Sequence, residues 1–237
     1  MIFWLTVLII LALTGLFLYW QLIIAEGAYL GARVVAFTYD CVAEKYNNIK
    51  EFEDKFEDFA IGVPIANRFH RQPKGMILDI ATGTGRVPLA LMRQTSYRGQ
   101  IIGLDRASRM LSVAHRDTVT LDKRVILIQA DAMALPFADN SFPMVTCLEA
   151  LEFMPSPEQG LREMVRVLAP TTHRHPDQGW LFTSNRIGWE ARLMPGKTWS
   201  TEQLRAILEK LPLRYIDITP WESIYDMVWA QKIANGE

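Results

Sequence analysis

The 237-residue sequence has little cysteine and no excess of charge of either sign. Its two cysteines, Cys41 and Cys147, are too few for the disulfide framework of a small secreted domain, and a reducing compartment suits them best. Lysine and arginine number 25 against 26 aspartates and glutamates, so no basic surplus is available to neutralise a nucleic-acid backbone. We therefore expect neither a disulfide-bonded scaffold nor a nucleic-acid partner.

Charged side chains are absent from the first 25 residues. As a helix, residues 2–24 have a length of about 35 Å at roughly 1.5 Å per residue, enough to cross a hydrocarbon core of about 30 Å. Trp4 lies near one end, and Tyr19 and Trp20 lie near the other, where aromatic rings favour the membrane interfaces. We predict a transmembrane anchor over residues 1–25.

A cleaved signal peptide is the main alternative to this anchor. No lysine or arginine precedes the apolar core, and Ala25-Glu26-Gly27 is a poor cleavage site, so the uncleaved span is favoured. Beyond the span, the basic residues Arg33 and Lys45 stand against Glu26 and Asp40. Because only lysine and arginine set orientation, we expect a single-pass membrane protein with its larger domain in the cytoplasm.

The rest of the chain divides into a helical linker with an N-terminal lid, residues 26–72, and a larger domain, residues 73–237. In the larger domain, short apolar runs alternate with amphipathic helical patterns, which is typical of a parallel sheet covered on both faces. We predict an α/β fold with a Rossmann-like, doubly wound, mostly parallel seven-stranded sheet and an antiparallel last strand. The predicted strands cover residues 76–81, 100–104, 124–130, 144–148, 180–184, 213–219 and 224–231, and the predicted helices cover 86–94, 108–116, 157–168 and 201–211.

Three phenylalanines of the lid follow a helical spacing. Phe52, Phe56 and Phe59 lie on one face of a helix, which is more typical of core packing than of a binding site. We therefore expect them to be buried.

The segment from Ile77 to Arg86 carries the clearest chemical signal. It reads as a buried strand, a turn with two glycines and the start of a helix, where free N–H groups favour an anion and glycine lets a ligand approach the backbone. A Walker loop requires lysine after Gly85, and the dinucleotide fingerprint requires a small residue where Pro88 stands. Pro88 therefore argues against an NAD-dependent oxidoreductase.

The spacing Asp79-x-Ala81-x-Gly83-x-Gly85 resembles the glycine-rich motif of class I S-adenosylmethionine-dependent methyltransferases. The resemblance extends over roughly residues 38–231 and is nearest to the ubiquinone- and menaquinone-methylating type. The later motifs follow in the family's order, in residues 101–105, 106–111, 129–132, 139–152 and 162–168.

This resemblance implies S-adenosyl-L-methionine as the cofactor and assigns roles to several acids. It implies that Asp105 binds the ribose hydroxyls, with a helix cap as the alternative, and that Asp131 accepts from the adenine amino group, again with a cap as the alternative. Asp79 holds the loop and the donor's amino group, or merely caps the turn. The residues implied to bind the cofactor are Asp79, Ala81, Thr82, Gly83, Gly85, Asp105, Arg106, Met110, Asp131, Ala132 and Leu148.

Two residues depart from the family pattern. Pro143 stands where the family usually has aspartate, at the end of the fourth strand away from the cofactor. Phe153 stands where histidine is frequent, which removes a proton acceptor near the substrate. The insertion that contains His173 and His175 has two histidines without a third ligand, so we predict no metal site.

The sequence nominates no catalytic base. Glu149 and Glu152 follow the fourth strand, and Tyr39, Lys45 and Tyr46 belong to the lid, but a structural role is expected for each of the five.

The resulting hypothesis is a membrane-anchored methyltransferase for a small acceptor, and tethering beside a bilayer favours a lipophilic one. The alternative is a membrane-tethered, Rossmann-like binding protein without catalysis. A loop with apolar and basic side chains either rests on lipid headgroups or packs against the domain: Arg186, Trp189, Arg192, Leu193, Met194, Lys197 and Trp199.

Overall fold

A seven-stranded mixed sheet organises the protein, in a computed structural model that describes residues 2–69, 74–120 and 123–234. The strand order is β3-β2-β1-β4-β5-β7-β6, in which β1 to β5 are parallel and β7 is antiparallel to both of its neighbours. The predicted fold class is thus confirmed. The strands are β1 (Ile77–Ile80), β2 (Ile101–Asp105), β3 (Val125–Gln129), β4 (Met144–Cys147), β5 (Trp180–Arg186), β6 (Leu213–Trp221) and β7 (Tyr225–Lys232).

The central strands are buried because helices cover both faces of the sheet. Every residue of β1 and β4 is buried, as their continuous apolar sequence predicts. Side chains of α8 and α10 pack on one face, and side chains of α5 and α6 pack on the other. The helices are α1 (Ile2–Tyr19), α2 (Ala32–Val42), α3 (Tyr46–Lys50), α4 (Asp54–Glu57), α5 (Val63–Arg68), α6 (Arg86–Met92), α7 (Ser108–Val119), α8 (Pro157–Val167), α9 (Gly188–Arg192) and α10 (Thr201–Leu208).

The N-terminal helix is the one helix among the described residues that is long and apolar enough to cross a membrane, judged by length and composition. α1 continues as a wider helical turn through Trp20–Ile24, which gives a stretch of 23 residues whose most apolar 18-residue window has a mean hydropathy of 2.4. None of its most apolar 18-residue window is buried against the rest of the chain. A core helix would be covered, so this exposure agrees with the anchor prediction.

The end of this helix is joined to the sheet domain through the loop that follows α9. The indole Nε1 of Trp20 donates to the carbonyl oxygen of Leu193 at 2.9 Å, and the Tyr29 hydroxyl donates to the carbonyl of Pro195 at 2.9 Å. Beneath these bonds, Ala25 packs with Met194 in a small buried cluster. The apolar helix therefore continues directly into a packed contact.

Of the two alternatives for the loop, packing against the domain describes three of its members. Arg186, Met194 and Lys197 are buried, and the Lys197 ammonium donates to the carbonyl of Met154 at 2.6 Å. Trp189 is 62% exposed and Leu193 is 41% exposed. The loop divides into a packed side and an open side.

The predicted burial of the lid phenylalanines is wrong. Phe59 is 77% exposed and Phe56 is exposed as well, while Phe52 is half-buried. α4 ends at Glu57, and a wider helical turn follows. Because of this change in winding, Ile61 and Ile65 face the core instead, and both are fully buried.

Gly62 lies where this wider turn meets α6, and it offers a test of the packing. A Cβ atom at Gly62 would lie 2.5 Å from the carbonyl oxygen of Ala90, which is backbone that cannot move aside alone. Overpacking of this kind costs roughly 1–3 kcal/mol, and we expect Gly62→Ala to lower the free energy of unfolding by that amount. Urea denaturation in detergent, followed by tryptophan fluorescence, measures the change.

Gly15→Ala is the matched control, because nothing lies within 4 Å of the Cβ position at Gly15. Its stability should equal that of the unsubstituted protein. Equal stability of the two variants would contradict the close approach of this turn to α6.

Candidate functional site

The candidate site lies at the carboxyl ends of the parallel strands, beside the point where the strand order reverses. β1 is flanked by β2 on one side and by β4 on the other, and crevices form at such switch points. Loops after these strands line a cavity with about 790 Å³ of empty space, counted out to its open mouth. A second cavity of about 380 Å³ adjoins it and shares the residues Tyr46, Ala81, Gly83, Leu148 and Glu149.

The turn after β1 is built on left-handed backbone conformations. Gly83 has φ of +55° and Gly85 has φ of +91°, which glycine adopts without steric cost, and Ala81 also has φ of +55°. A Cβ on Gly85 would lie 3.4 Å from the Cβ of Ala114 in α7. Gly85 therefore supports the turn and its packing against α7, and it lines neither cavity, in contrast to its predicted role in cofactor binding.

Asp105, the last residue of β2, connects two loops of the cavity wall. Its Oδ2 accepts from the Gly83 N–H at 2.8 Å, and its Oδ1 accepts from the Ala107 N–H at 2.8 Å. Enclosure by protein atoms raises the pKa of this carboxyl, while the backbone hydrogen bonds lower it. The group therefore makes the local turn contacts and also faces the cavity.

Asp79 in β1 is buried beneath the glycine-rich turn. Its Oδ1 accepts from the Thr146 hydroxyl at 2.6 Å. Its Oδ2 makes no hydrogen bond of standard geometry, although the Thr82 hydroxyl lies close enough to lower the carboxyl pKa. Burial is the larger effect and raises the pKa of Asp79 to about 7.

Asp131, after β3, makes the cap contact that was predicted from the sequence as the alternative to adenine binding, and it also faces the cavity. Its Oδ1 accepts from the Met133 N–H at 3.0 Å, as a turn cap does, and its Oδ2 is paired with the Arg106 guanidinium. Both side chains line the first cavity.

The sequence-predicted binding residues, Gly85 excepted, come together on the two cavities. Asp105, Arg106, Met110, Asp131 and Ala132 line the first cavity, Asp79 and Thr82 line the second, and Ala81, Gly83 and Leu148 line both.

The lid covers the first cavity and is hydrogen-bonded to its walls. Tyr39 of α2 lines the cavity, and the Asp40 carboxylate accepts from the Arg109 N–H at 2.7 Å, which caps α7 from a different helix. Farther along, the Thr84 hydroxyl donates to the Asn47 side-chain oxygen at 2.5 Å. The glycine-rich turn and α7 are both joined to the lid.

A largely buried ionic cluster lies where the lid meets the second cavity, and the sequence did not predict it. Arg86 donates from Nε to Glu57 at 2.6 Å, from Nη1 to Glu149 and from Nη2 to Glu222 at 3.4 Å. The Lys50 ammonium pairs with the other oxygen of Glu149 at 2.8 Å. Burial would raise the pKa of Glu149, but these two cations lower it. Two cations thus face three carboxylates beside the glycine-rich turn.

The two glutamates considered as bases have partners elsewhere, and the two tyrosines that line the cavities stay protonated. Glu149 is held in the ionic cluster, and Glu152, whose pKa burial raises to about 6, accepts from the Tyr225 hydroxyl at 2.8 Å. Glu152 does not line the cavities described above. Burial raises the pKa of Tyr39 and Tyr46, which keeps both phenols protonated.

Comparison with known proteins agrees with this geometry. A family model described as "Methyltransferase domain" matches residues 78–173, the part of the chain that holds β1 to β4 and the glycine-rich turn. The residues that this model matches are therefore similar to a class I S-adenosylmethionine-dependent methyltransferase domain.

Relatives and solved structures extend the similarity beyond the matched segment. The methyltransferase domain is similar to the demethylmenaquinone methyltransferase of Lactobacillus johnsonii, 38% identical over 122 residues that make up 48% of each chain. It is 33% identical to that of Desulfitobacterium hafniense over 141 residues, 59% of this chain and 56% of the relative. The chain spans about half the length of these relatives.

Two solved structures share the fold. The crystal structure of the [4+2]-cyclase SpnF has a TM-score of 0.66 at 19% identity, covering 86% of this chain and 97% of its own. A SAM-dependent methyltransferase from Aquifex aeolicus has a TM-score of 0.54 at 18% identity, covering 71% and 89%.

Asp105→Asn tests the role of the carboxylate at the cavity wall. An amide of the same shape offers one acceptor oxygen in place of two, and a hydrogen bond to a charged group contributes roughly 1.5–3 kcal/mol. We expect the affinity for S-adenosylmethionine, measured by calorimetry, to fall about tenfold or more. Asp139→Asn, an exposed carboxylate before β4 at the opposite edge of the sheet, should leave the affinity unchanged. Unchanged affinity in Asp105→Asn would remove this residue from the site.

The raised pKa of Asp79 predicts that donor binding depends on pH. Below its pKa of about 7 the carboxyl is neutral, so it does not attract a cationic ligand, and affinity should rise as the pH increases through this value. The dependence should approach tenfold per pH unit on the acidic side. Asp79→Asn should abolish that component while leaving any titration of the ligand itself, and an identical pH profile in the two proteins would contradict the prediction.

Proposed function

We propose that this protein transfers a methyl group from S-adenosylmethionine to a small lipophilic acceptor with a quinone-like ring, while anchored to a membrane by α1. The observation that carries the proposal is the convergence of Asp79, Gly83 and Asp105 on two adjoining cavities at one edge of the sheet.

The residues of the cavities fit this donor. The molecule carries a sulfonium and an ammonium, and the carboxyls of Asp79 and Asp105 are enclosed by protein, where attraction to a cation is stronger than in water. Met110 and Ala132 supply apolar surface on which a nucleoside base packs. Gly83 leaves room for close approach, since a Cβ there would first meet only the Met110 side chain at 3.5 Å.

In this mechanism the protein aligns and shields the reacting groups. Bound S-adenosylmethionine supplies an activated methyl group. Asp105 holds the ribose and fixes the direction of the donor, while α2 covers the cavity and excludes water. No side chain is assigned as a general base, which is required only for an acceptor that is protonated at the working pH.

An apolar wall of the first cavity supports a lipophilic acceptor. Val35 of α2 faces the segment Phe153, Met154 and Pro155, which follows β4. The relatives named demethylmenaquinone methyltransferase support a quinone-like ring as the chemical class. The apolar α1 helix supports delivery from a bilayer, and the excess of Arg33 and Lys45 beyond it supports a cytoplasmic position of the domain.

A second candidate function is a tethered binding protein that holds the donor without transferring its methyl group. The cyclase that shares the fold supports this candidate, because its name gives an activity other than methyl transfer on the same fold.

Methyl transfer is tested with the full chain in lipid nanodiscs that contain demethylmenaquinone, with S-adenosylmethionine labelled in the methyl group. We expect label in the lipid-soluble fraction, reduced about tenfold in Asp105→Asn when donor is subsaturating, and unchanged in Asp139→Asn. Donor binding without transfer to this acceptor or to a membrane extract would favour the tethered binding protein. Absence of donor binding would contradict both functions.

A further inference from the structure

We propose that the protein contacts the bilayer through a second surface besides its spanning helix, formed where the end of α1 meets α9. This anchor-side surface consists of Trp20, Tyr29, Trp189, Arg192 and Leu193, and the lipid headgroup region is the partner that it fits. The inference rests on the proposed membrane anchoring and not on the identity of the methyl acceptor.

The position of the surface follows from the contact between Trp20 and Leu193. Trp20 lies within five residues of the end of the apolar helix at Ile24, so in a membrane it occupies the interface on the side of the sheet domain. The hydrogen bond of 2.9 Å from its indole to the Leu193 carbonyl places the end of α9 at the same depth. The Tyr29 hydroxyl, bonded to the Pro195 carbonyl, holds the same loop at a second point.

The chemistry of the open side suits a headgroup layer. Trp189 and Leu193 project large apolar side chains, exposed by 62% and 41%, and the exposed Arg192 lies next to Leu193. Tryptophan favours the interface because its ring is amphipathic, and arginine is attracted to anionic lipid. The buried members of the loop, among them Met194, hold this arrangement against the domain.

The same contact brings the cavity close to the bilayer. Phe153 lines the first cavity and also packs in the cluster that contains Ala25, Ala28 and Met194. A single layer of side chains therefore separates the end of the anchor from the apolar wall of the cavity. A lipophilic acceptor has a short path from the bilayer to the site.

The proposal is tested with nitroxide spin labels on the full chain in nanodiscs that contain anionic lipid. In a Cys41→Ser background, which removes the exposed native thiol, labels are placed by Trp189→Cys and, separately, by Leu193→Cys. We expect an aqueous nickel chelate to broaden the spectra of both labels less than the spectrum of a water-exposed label. Dissolved oxygen should broaden them more. The matched control is Val119→Cys, 52% exposed at the far end of α7, where the nickel chelate should broaden the spectrum.

A label at Gly15→Cys separates the proposal from the anchor on which it rests, since Gly15 lies in the middle of α1 with open space around it. If the label at residue 15 is protected from the nickel chelate while the labels at residues 189 and 193 both give water-like spectra, the anchor-side surface is overturned and the anchor stands. Water-like spectra at 15 would overturn both.

A functional arm uses the double variant Trp189→Ser, Leu193→Ser. Its affinity for S-adenosylmethionine should equal that of the unsubstituted protein, which also shows that it is folded. Its KM for an acceptor embedded in the bilayer should rise severalfold, with no rise for a short-chain acceptor in detergent solution. An unchanged KM in the bilayer would contradict the proposal.

Discussion

The carboxylate of Asp105 holds together the two loops that frame the cavity. Because β1 and β2 are parallel neighbours, their carboxyl ends lie side by side, and one oxygen of Asp105 accepts from the turn after β1 while the other accepts from the segment that begins α7. The Thr82 N–H adds a bond of 3.0 Å to the carbonyl of Leu104. Both loops are thereby held at the cavity wall, where the other predicted binding residues gather.

The sheet, and the position of most candidate binding residues at the cavities, were predictable because their signals are local. β1, β2 and β4 are short continuous apolar runs, and the structure begins and ends each within one residue of the predicted limits. Asp105 ends β2 and Asp131 follows β3, and both reach the cavity because the carboxyl ends of parallel strands lie at the same edge of the sheet. Gly85 is assigned to the cofactor from its motif, and its close approach to Ala114 of α7 is a further constraint that periodicity does not reveal.

Features that depend on distant partners were not predictable. Arg86 finds its partners 29, 63 and 136 residues away, in Glu57, Glu149 and Glu222, and no sequence pattern links such positions. Trp20 bonds to the Leu193 carbonyl, 173 residues away.

The lid phenylalanines were misassigned for a different reason. A helical spacing does not show where the helix changes its winding. After the wider turn at Asp58–Gly62, Ile61 and Ile65 occupy the buried positions.

The hydrogen bond by which Asp40 caps α7 connects α2, which covers the cavity, to α7, which forms one of its walls. If α2 swings away, the Arg109 N–H loses its acceptor and the first turn of α7 must be rehydrated. Opening of the cavity at this contact would therefore carry the energetic penalty of uncapping a helix, typically about 1 kcal/mol. This hydrogen bond thus favours the closed arrangement even before a ligand arrives, and opening of the cavity is linked to fraying of the first turn of α7.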